Sequence, residues 1–325
     1  MRQVVFYCLM IVVLTLLSSA GAFKVKAQQD PQFTHYMYNE LNFNPAYAGK
    51  NRRQICADFI QHSQYTNFDG IDGGSNPSTQ FLNVNAPLGN KYVQGVGLSI
   101  YNDEVGFQNT VSAVASASHH LETELGRLQL GFNVGIIQKT LNGDELDPIE
   151  QDDKAIPNEE VSNIIFDAGL GAYLVAENYY AGLSTLHAPE GDLGYTTEGN
   201  GTYSRHYYLT GGYNYQLSEK WDLKPSTLVK FDGSQLQADL NGRAMLNDKY
   251  WGGLGYRIGE KSLNAMVGAF LTPKLKVGYS FDLAFQPNDI RTGGTHEILL
   301  GYCFQFNPQP KEENPNLTQL KLCDE

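Results

Sequence analysis

The chain has 325 residues, and its 35 Asp and Glu residues outnumber its 23 Lys and Arg residues, which gives a net charge of −12. A protein that binds nucleic acid needs a basic surface, so this charge argues against nucleic acid as a partner. Besides Cys8, the chain carries Cys56, Cys303 and Cys323. Three further cysteines are an odd number and too few for a small domain built around disulfides.

The first 27 residues have the pattern of a signal peptide. Arg2 precedes an apolar run over residues 4–17, small residues follow at 18–22, and Val25-Lys26-Ala27 precedes Gln28. The run is shorter than the about 20 apolar residues that a membrane-spanning helix needs. We therefore expect cleavage after Ala27, which removes three cations and takes the net charge from −12 to −15. No cysteine follows the small residues, so a lipoprotein signal is not expected.

Residues 28–50 are predicted to form a periplasmic segment. Residues 30–49 read DPQFTHYMYNELNFNPAYAG, and we refer to them as the aromatic segment. They show neither helix nor strand periodicity, and Asn44-Pro45 favours an extended or turn conformation. The pattern DPxxxxYxxNxxxxNPAxAG resembles, at every fixed position, a motif of the PorP/SprF family of type IX secretion system outer-membrane proteins. The motif residues are the candidate binding residues: Asp30, Pro31, Tyr36, Asn39, Asn44, Pro45, Ala46 and Gly49.

Beyond the aromatic segment, apolar and polar residues alternate in runs of about ten residues. In one run Leu128, Leu130 and Phe132 alternate with Arg127 and Gln129. In another run, Tyr279 and Phe281 alternate with Ser280 and Asp282. Side chains of a strand point alternately to its two faces, and runs of this length suit tilted membrane strands better than soluble ones. We expect the apolar residues to face lipid and the polar residues to face the lumen.

The sequence predicts an all-β fold, a closed antiparallel transmembrane β-barrel of about 14 strands within residues 51–306. The alternative, a soluble β-sandwich, also alternates but has shorter strands. The predicted strands are 51–62, 79–86, 92–102, 107–120, 125–140, 163–176, 179–187, 203–217, 220–231, 235–246, 250–258, 263–271, 275–286 and 295–306.

The connections alternate between short and long. Those after even-numbered strands are short, whereas the long ones, at 63–78, 141–162, 188–202 and 287–294, follow odd-numbered strands. Outer-membrane barrels have short periplasmic turns and longer extracellular loops. Both termini are therefore predicted to be periplasmic. Residues 307–325 are rich in Pro, Glu and Asn and are expected to be a disordered tail.

No pattern in the sequence indicates an enzyme or a cofactor. The carboxylates of residues 141–162 could bind calcium, but they lack the EF-hand spacing. His296-Glu297 begins like a zinc-protease helix, yet Leu300 stands where the second His belongs. His187, Asp192 and His206 flank one long connection and are interpreted as ordinary loop residues, not as a protease site. We expect no metal site, no cofactor and no catalysis.

The resemblance to PorP/SprF continues along the chain to about Phe306. It includes a mid-barrel hairpin with DAGLGAY at 167–173, Lys224-Pro225-Ser226, WGGLGYR at 251–257 and GGTHEILLGY at 293–302. It implies a component of type IX secretion in the outer membrane that supports delivery or surface anchoring of secreted proteins such as adhesins, and gliding motility in some members. The partners it implies are other periplasmic and outer-membrane subunits of the machine, substrates with C-terminal sorting domains, and outer-membrane lipid.

The alternative function is an outer-membrane porin or solute-uptake channel. A barrel of this size conducts unless side chains or another segment fill the lumen. The aromatic segment is available for that purpose, because exposed clusters of aromatic side chains mark packing or binding surfaces. We expect it to pack against the periplasmic mouth or inside the lumen, with Asn39 and Asn44 hydrogen-bonded to backbone.

Cys56 and Cys303 are both predicted to point inward, on the first and last strands. These strands must pair if the barrel is closed, because lipid cannot satisfy an open strand edge. The shear of the barrel sets the offset between the two thiols, so a bond and two free thiols both remain open. A Cα separation under about 7 Å is the condition for a bond.

Overall fold

The computed structural model describes residues 30–65, 75–89, 92–143, 146, 157, 159–192, 202–285 and 294–306. These residues form one closed antiparallel barrel of 14 strands, counting the continuation Tyr215–Gln216 as part of the eighth. The strands are β1 (Gln54–Ser63), β2 (Ser75–Pro87), β3 (Gly95–Gly106), β4 (Gln108–Thr123), β5 (Gly126–Asn142), β6 (Glu160–Val175), β7 (Tyr179–Leu186), β8 (His206–Tyr213), β9 (Trp221–Phe231), β10 (Leu236–Leu246), β11 (Tyr250–Arg257), β12 (Ser262–Thr272), β13 (Leu275–Ala284) and β14 (Thr295–Gln305).

Every strand pairs with its neighbours in the chain, and β1 pairs with β14 to close the barrel. The closing pair runs in register from Gln54 opposite Gln305 to Ser63 opposite His296. Closure leaves no open edge in this sheet, and a sheet in lipid needs this because lipid cannot hydrogen-bond to unpaired backbone groups. The predicted closure is confirmed. In the part of the chain that the structure describes, no helix is long and apolar enough to cross a membrane.

The two faces of the barrel wall differ as the alternation predicts. On β5, Leu130 and Phe132 are exposed on the outer face, whereas Arg127 and Gln129 are buried inside. On β13, Tyr279 is exposed and its neighbour Ser280 is buried. The outer face is thus apolar and the interior polar, as in transmembrane barrels.

The two ends of the barrel have different connections. At one end, called here the short-turn end, tight turns such as Asn247-Asp248 join the strands, both residues at a φ of 52°. Asn and Asp tolerate this left-handed conformation better than other residues with side chains. The N-terminal end of β1 and the C-terminal end of β14 also lie at the short-turn end. The opposite end, called the long-connection end, carries the connections that are long in the sequence.

A disulfide joins β1 to β14. Cys56 and Cys303 are direct register partners with a Cα separation of 4.1 Å, and they are bonded. Of the two outcomes left open by the sequence, the bonded one is therefore present. The bond fixes the strand pair that closes the barrel.

We expect Cys56→Ser to lower the free energy of unfolding of the barrel by about 2–4 kcal/mol, because the bond restricts the unfolded chain. Urea unfolding of the purified barrel in detergent measures this difference. Cys323→Ser is the matched control, since it removes a thiol without touching the bonded pair. Equal unfolding midpoints for Cys56→Ser and wild type would contradict the prediction.

Most predicted strands differ from the observed ones by a few residues at their ends; for example, the second was predicted at 79–86 and spans Ser75–Pro87. The eighth predicted strand differs more. Residues 203–217 were expected to be continuous, but β8 begins at His206, and Thr202–Tyr203 pair instead with Gly191–Asp192 in a separate two-stranded sheet. The reason is that the Tyr203 hydroxyl donates a hydrogen bond to Asp30 inside the barrel, 2.7 Å away. The predicted signal peptide, the predicted tail and most of the acidic connection 141–162 lie outside the described residues.

Candidate functional site

The aromatic segment lies inside the lumen. Phe33, Tyr36 and Phe43 are buried, and they pack against side chains of the barrel wall. Phe33 contacts Phe81 with ring centroids 5.3 Å apart, and Phe43 stacks on Tyr208 at 5.7 Å. Of the two predicted locations, the mouth and the lumen, the structure therefore shows the lumen. The segment plugs the barrel.

Three short 3-10 turns, Tyr36–Tyr38, Glu40–Asn42 and Pro45–Tyr47, give the aromatic segment its compact path. Asn44 precedes the last turn in an extended conformation, as expected before proline. Its side-chain oxygen accepts a hydrogen bond from the Ala46 amide at 3.0 Å, and its side-chain nitrogen donates to the Ala172 carbonyl at 3.1 Å. Asn44 thus both caps the turn and ties it to β6.

One carboxylate anchors the start of the segment. Asp30 accepts hydrogen bonds from the hydroxyls of Tyr203 (2.7 Å) and Tyr208 (2.6 Å). His187 bridges this carboxylate to the wall, since its Nε2 lies 2.9 Å from Asp30 and its Nδ1 lies 2.9 Å from Asp167. The Lys230 ammonium also donates to the Asp30 carbonyl at 3.2 Å. Asp30, the first residue of the motif, therefore anchors the segment to the barrel wall through its charged carboxylate.

The electrostatics of this anchor favour an ion pair. Burial alone would raise the pKa of Asp30, but the charges of His187 and His206 and the hydrogen bond from His187 hold it well below its usual range. Burial would lower the pKa of His187, whereas the carboxylates of Asp30 and Asp167 raise it to about 9. At neutral pH the segment is therefore held by a charged imidazolium between two carboxylates.

A second carboxylate, on β14, holds the next two residues. Glu297 accepts hydrogen bonds from the backbone amides of Thr34 (2.9 Å) and His35 (2.8 Å). The Nδ1 atoms of His35 and His62 lie 2.6 Å and 3.0 Å from the same carboxylate. The Thr34 hydroxyl donates to Asp282 at 2.6 Å. One buried side chain of the wall thus satisfies two backbone donors and two imidazoles.

The far end of the segment lies directly on the strands. A Cβ atom at Gly131 would collide with the backbone of Ala46, and one at Gly95 with the carbonyl of Ala48. The Ser118 hydroxyl donates to that same Ala48 carbonyl at 2.6 Å. These glycines allow close backbone approach, and hydroxyls of the wall satisfy the carbonyls of the segment.

The segment divides the lumen into two chambers. The long-connection chamber has a volume of about 460 Å³, and its lining includes Asp30 and Gln32 of the segment. The short-turn chamber has a volume of about 480 Å³ and is lined by Met37, Tyr38 and Tyr47 from the other side of the segment. Each chamber opens toward its own end of the barrel.

The structure places the motif residues together. Asp30, Tyr36, Asn44, Pro45, Ala46 and Gly49 are buried, and Pro31 is half-buried. Gly49 adopts a φ of 66°, which favours glycine, and its amide donates to Asn85 at 2.6 Å. Asn44 and Gly49 thus bind the wall directly through hydrogen bonds.

Asn39 corrects one prediction. Its side chain was expected to hydrogen-bond to backbone, but neither its Oδ1 nor its Nδ2 has a partner among the described residues. The backbone of Asn39 already links two turns, with its amide donating to the Tyr36 carbonyl and its carbonyl accepting from the Asn42 amide. These hydrogen bonds that link the turns do not involve the side chain.

His187 and His206 correct another interpretation. Their positions in the sequence suggest ordinary loop residues, but both lie beside Asp30 in the anchor, and their ring centroids are 5.1 Å apart. The side chain of Asp192 is not among those the structure describes. The candidate residues that the sequence does not single out are His35, His62 and Tyr203. Asp167 and Glu297 lie in the family motifs at 167–173 and 293–302, but the motifs assign them no role.

Asp30, His187 and His206 are also a possible set of metal ligands, with ligand atoms within 4.8 Å of one another. Both carboxylate oxygens of Asp30 already accept hydrogen bonds, from Tyr203 and Tyr208. A divalent cation would also lie close to the ammonium of Lys230. This donor set fits an anchor held by hydrogen bonds better than a metal centre.

The charged anchor predicts a dependence of stability on pH. The pKa of His187 is raised from 6.5 to about 9, so its contribution is fully present below pH 6.5 and is lost as the pH rises through 9. We expect the thermal unfolding midpoint of the wild type to fall over this range and that of His187→Gln to fall less. His119→Gln, which alters a histidine bonded to the Tyr92 carbonyl, is the control. Parallel profiles for wild type and His187→Gln would contradict the ion pair.

Several solved structures resemble this barrel at low identity. The outer membrane protein Omp33 of Acinetobacter baumannii is 10% identical at a TM-score of 0.45, covering 78% of this chain and 98% of that chain. The toluene transporter TbuX of Ralstonia pickettii is 14% identical at 0.47, covering 81% and 92%. A FadL homologue of Pseudomonas aeruginosa is 11% identical at 0.44, covering 87% and 96%. Similarities this low carry no argument about function.

Among curated proteins, no sequence matches this chain. The family described as type IX secretion system membrane protein PorP/SprF matches residues 25–302, which is nearly the whole sequence. This match contains the aromatic segment and almost all of the barrel that it plugs. The family and the barrel fold together support an integral outer-membrane location. The chain therefore belongs to the PorP/SprF family of type IX secretion system membrane proteins.

Proposed function

We propose that the protein is a non-enzymatic component of type IX secretion that supports the delivery or surface anchoring of secreted proteins such as adhesins. It reaches the outer membrane through a signal peptide that is cleaved after Ala27. The short-turn end and both termini face the periplasm, and the long connections face outward, in keeping with the usual arrangement of such barrels.

The observation that carries this proposal is the docking of the family motif inside the lumen. A porin needs a continuous water-filled path, whereas here the aromatic segment lies between the two chambers and is fastened by Asp30 and Glu297. A barrel closed in this way suits protein contacts at its two ends better than diffusion of solutes through it. The motif residues have the role of holding the plug.

Family membership supports other secretion components as partners, and the specific contacts are part of this proposal. The periplasmic end contacts other subunits of the secretion machine, and the outer end contacts substrates that carry C-terminal sorting domains. Outer-membrane lipid surrounds the apolar outer face. No sequence motif or described cluster calls for a cofactor.

Deletion of the gene tests the proposal. We expect a subset of proteins with C-terminal sorting domains to disappear from the cell surface and to accumulate in the periplasm, as measured by mass spectrometry of surface-shaved and periplasmic fractions. Re-expression of the wild-type chain should restore them. Unchanged surface proteins together with reduced uptake of small solutes would instead favour the porin alternative.

A further inference from the structure

The two chambers carry opposite charge. The long-connection chamber is lined by the carboxylates of Asp30, Asp103, Glu260 and Asp282 and by the cations Lys139 and Arg257. The short-turn chamber is lined by the cations Arg243, Lys249, Lys274 and Lys276 and by the carboxylates Asp58 and Asp248. In a chain with a net charge of −12, the short-turn chamber is thus a local cationic site.

Not all cations of the short-turn chamber form ion pairs with side chains of the barrel wall. Lys276 pairs with Asp58 at 2.9 Å, and Arg243 contacts the Tyr38 hydroxyl. Within the described residues, neither Lys249 nor Lys274 has an ion-pair partner, and both are exposed at the rim. Tyr38, Tyr47 and Phe270 line the same chamber. Cations beside aromatic side chains suit a ligand that carries both carboxylates and apolar groups.

The chain itself continues from the rim of this chamber. β14 ends beside Gln54, which lines the chamber, and the Phe306 amide donates to the Arg53 carbonyl at 2.7 Å. Residues 307–325 follow, and they carry Glu312, Glu313, Asp324 and Glu325 against Lys311 and Lys321, with leucines at 317, 320 and 322. Their charge is opposite to that of the chamber.

We propose that residues 312–325 dock in the short-turn chamber, with their carboxylates at the rim lysines and their leucines on the aromatic side chains of the wall. The attachment at Phe306 makes this an intramolecular event, for which effective concentrations reach the order of millimolar. Five residues, 307–311, lie between Phe306 and Glu312, and each spans up to about 3.5 Å, so the linker reaches the chamber. The docking does not depend on which side of the membrane the chamber faces.

Cys323 gives a direct readout of this docking. Cys56 and Cys303 are bonded to each other, and Cys8 lies in the predicted leader, so Cys323 is the free thiol of the mature chain. We would measure the rate at which a maleimide carrying a large polyethylene glycol chain modifies Cys323 in the full-length barrel at low salt. Rim lysines raise the reactivity of a nearby thiol, so any slowing reports steric protection.

The expected rate for the wild type is about tenfold lower than for a synthetic peptide of residues 307–325, because the docked tail is shielded. Lys249→Glu with Lys274→Glu should bring the rate close to that of the peptide. Lys220→Glu with Lys261→Glu is the matched control, since it makes the same charge change at exposed turn positions outside the chamber, and it should keep the wild-type rate.

A charge swap completes the test. Adding Glu312→Lys and Glu313→Lys to the Lys249→Glu and Lys274→Glu variant should restore protection, which a folding defect would not allow. A wild-type rate equal to that of the free peptide would overturn the proposal. If Cys323 stays protected after the charges at Lys249 and Lys274 are reversed, the chamber is not the docking site.

Discussion

Replacement of Glu297 by alanine is expected to release the start of the aromatic segment from the barrel wall. The carboxylate accepts hydrogen bonds from the amides of Thr34 and His35 and lies within 3.0 Å of two imidazole nitrogens. Its removal leaves these buried groups unsatisfied, which costs about 3–5 kcal/mol. Hydrogen exchange of the Thr34 and His35 amides measures the release, and we expect exchange to be at least a hundredfold faster.

The matched control for this experiment is Glu122→Ala. Glu122 also contacts a basic side chain, that of Arg52, but both residues are exposed. Exposed ion pairs contribute about 1 kcal/mol or less, so exchange at Thr34 and His35 should stay at the wild-type rate. Unchanged exchange in Glu297→Ala would show that the carboxylate does not hold the segment.

Replacement of Asn44 and Pro45 together by alanine is expected to impair secretion while the barrel still assembles. The variant loses two side-chain hydrogen bonds, to Ala46 and to Ala172, worth about 0.5–1.5 kcal/mol each, and the restriction that proline places on the backbone. The strands keep their own pairing. A loss of about 1–3 kcal/mol lowers the ratio of docked to undocked segments by about fivefold to 150-fold, and less cargo should reach the cell surface.

Asn42→Ala serves as the control for that variant, since Asn42 lies two residues earlier and is only half-buried. Surface cargo is measured by protease shaving, and barrel assembly by the amount of folded protein in the outer membrane. If the segment is displaced in the Asn44 and Pro45 variant and surface cargo is still normal, secretion does not depend on the docked segment.

The wall of the barrel was predictable because each strand carries its own signal. The alternation of apolar and polar residues from Leu128 to Phe132 indicates which face contacts lipid. The spacing of the turns indicates the number of strands. Pairing of β1 with β14 followed from the need to close the edge. The register did not follow, because shear depends on the whole barrel, and so the pairing of Cys56 with Cys303 needed the structure.

The anchor inside the lumen was not predictable from local pattern. Asp30 and His187 are 157 positions apart, and Glu297 lies 262 positions from His35. No periodicity links residues that are so far apart in the sequence. An isolated histidine in the sequence cannot be distinguished from an ordinary loop or strand residue. The motif showed that the segment matters, and only the fold showed which wall residues hold it.

The ion conductance of the purified barrel in a planar lipid bilayer tests the central claim most directly, because that claim is that the aromatic segment closes the lumen. We predict that the wild-type barrel stays closed and that a variant lacking residues 30–49 opens a stable conductance through the two joined chambers. Glu297→Ala should open intermittently. A stable open conductance in the wild type, unchanged by deletion of the segment, would contradict the account.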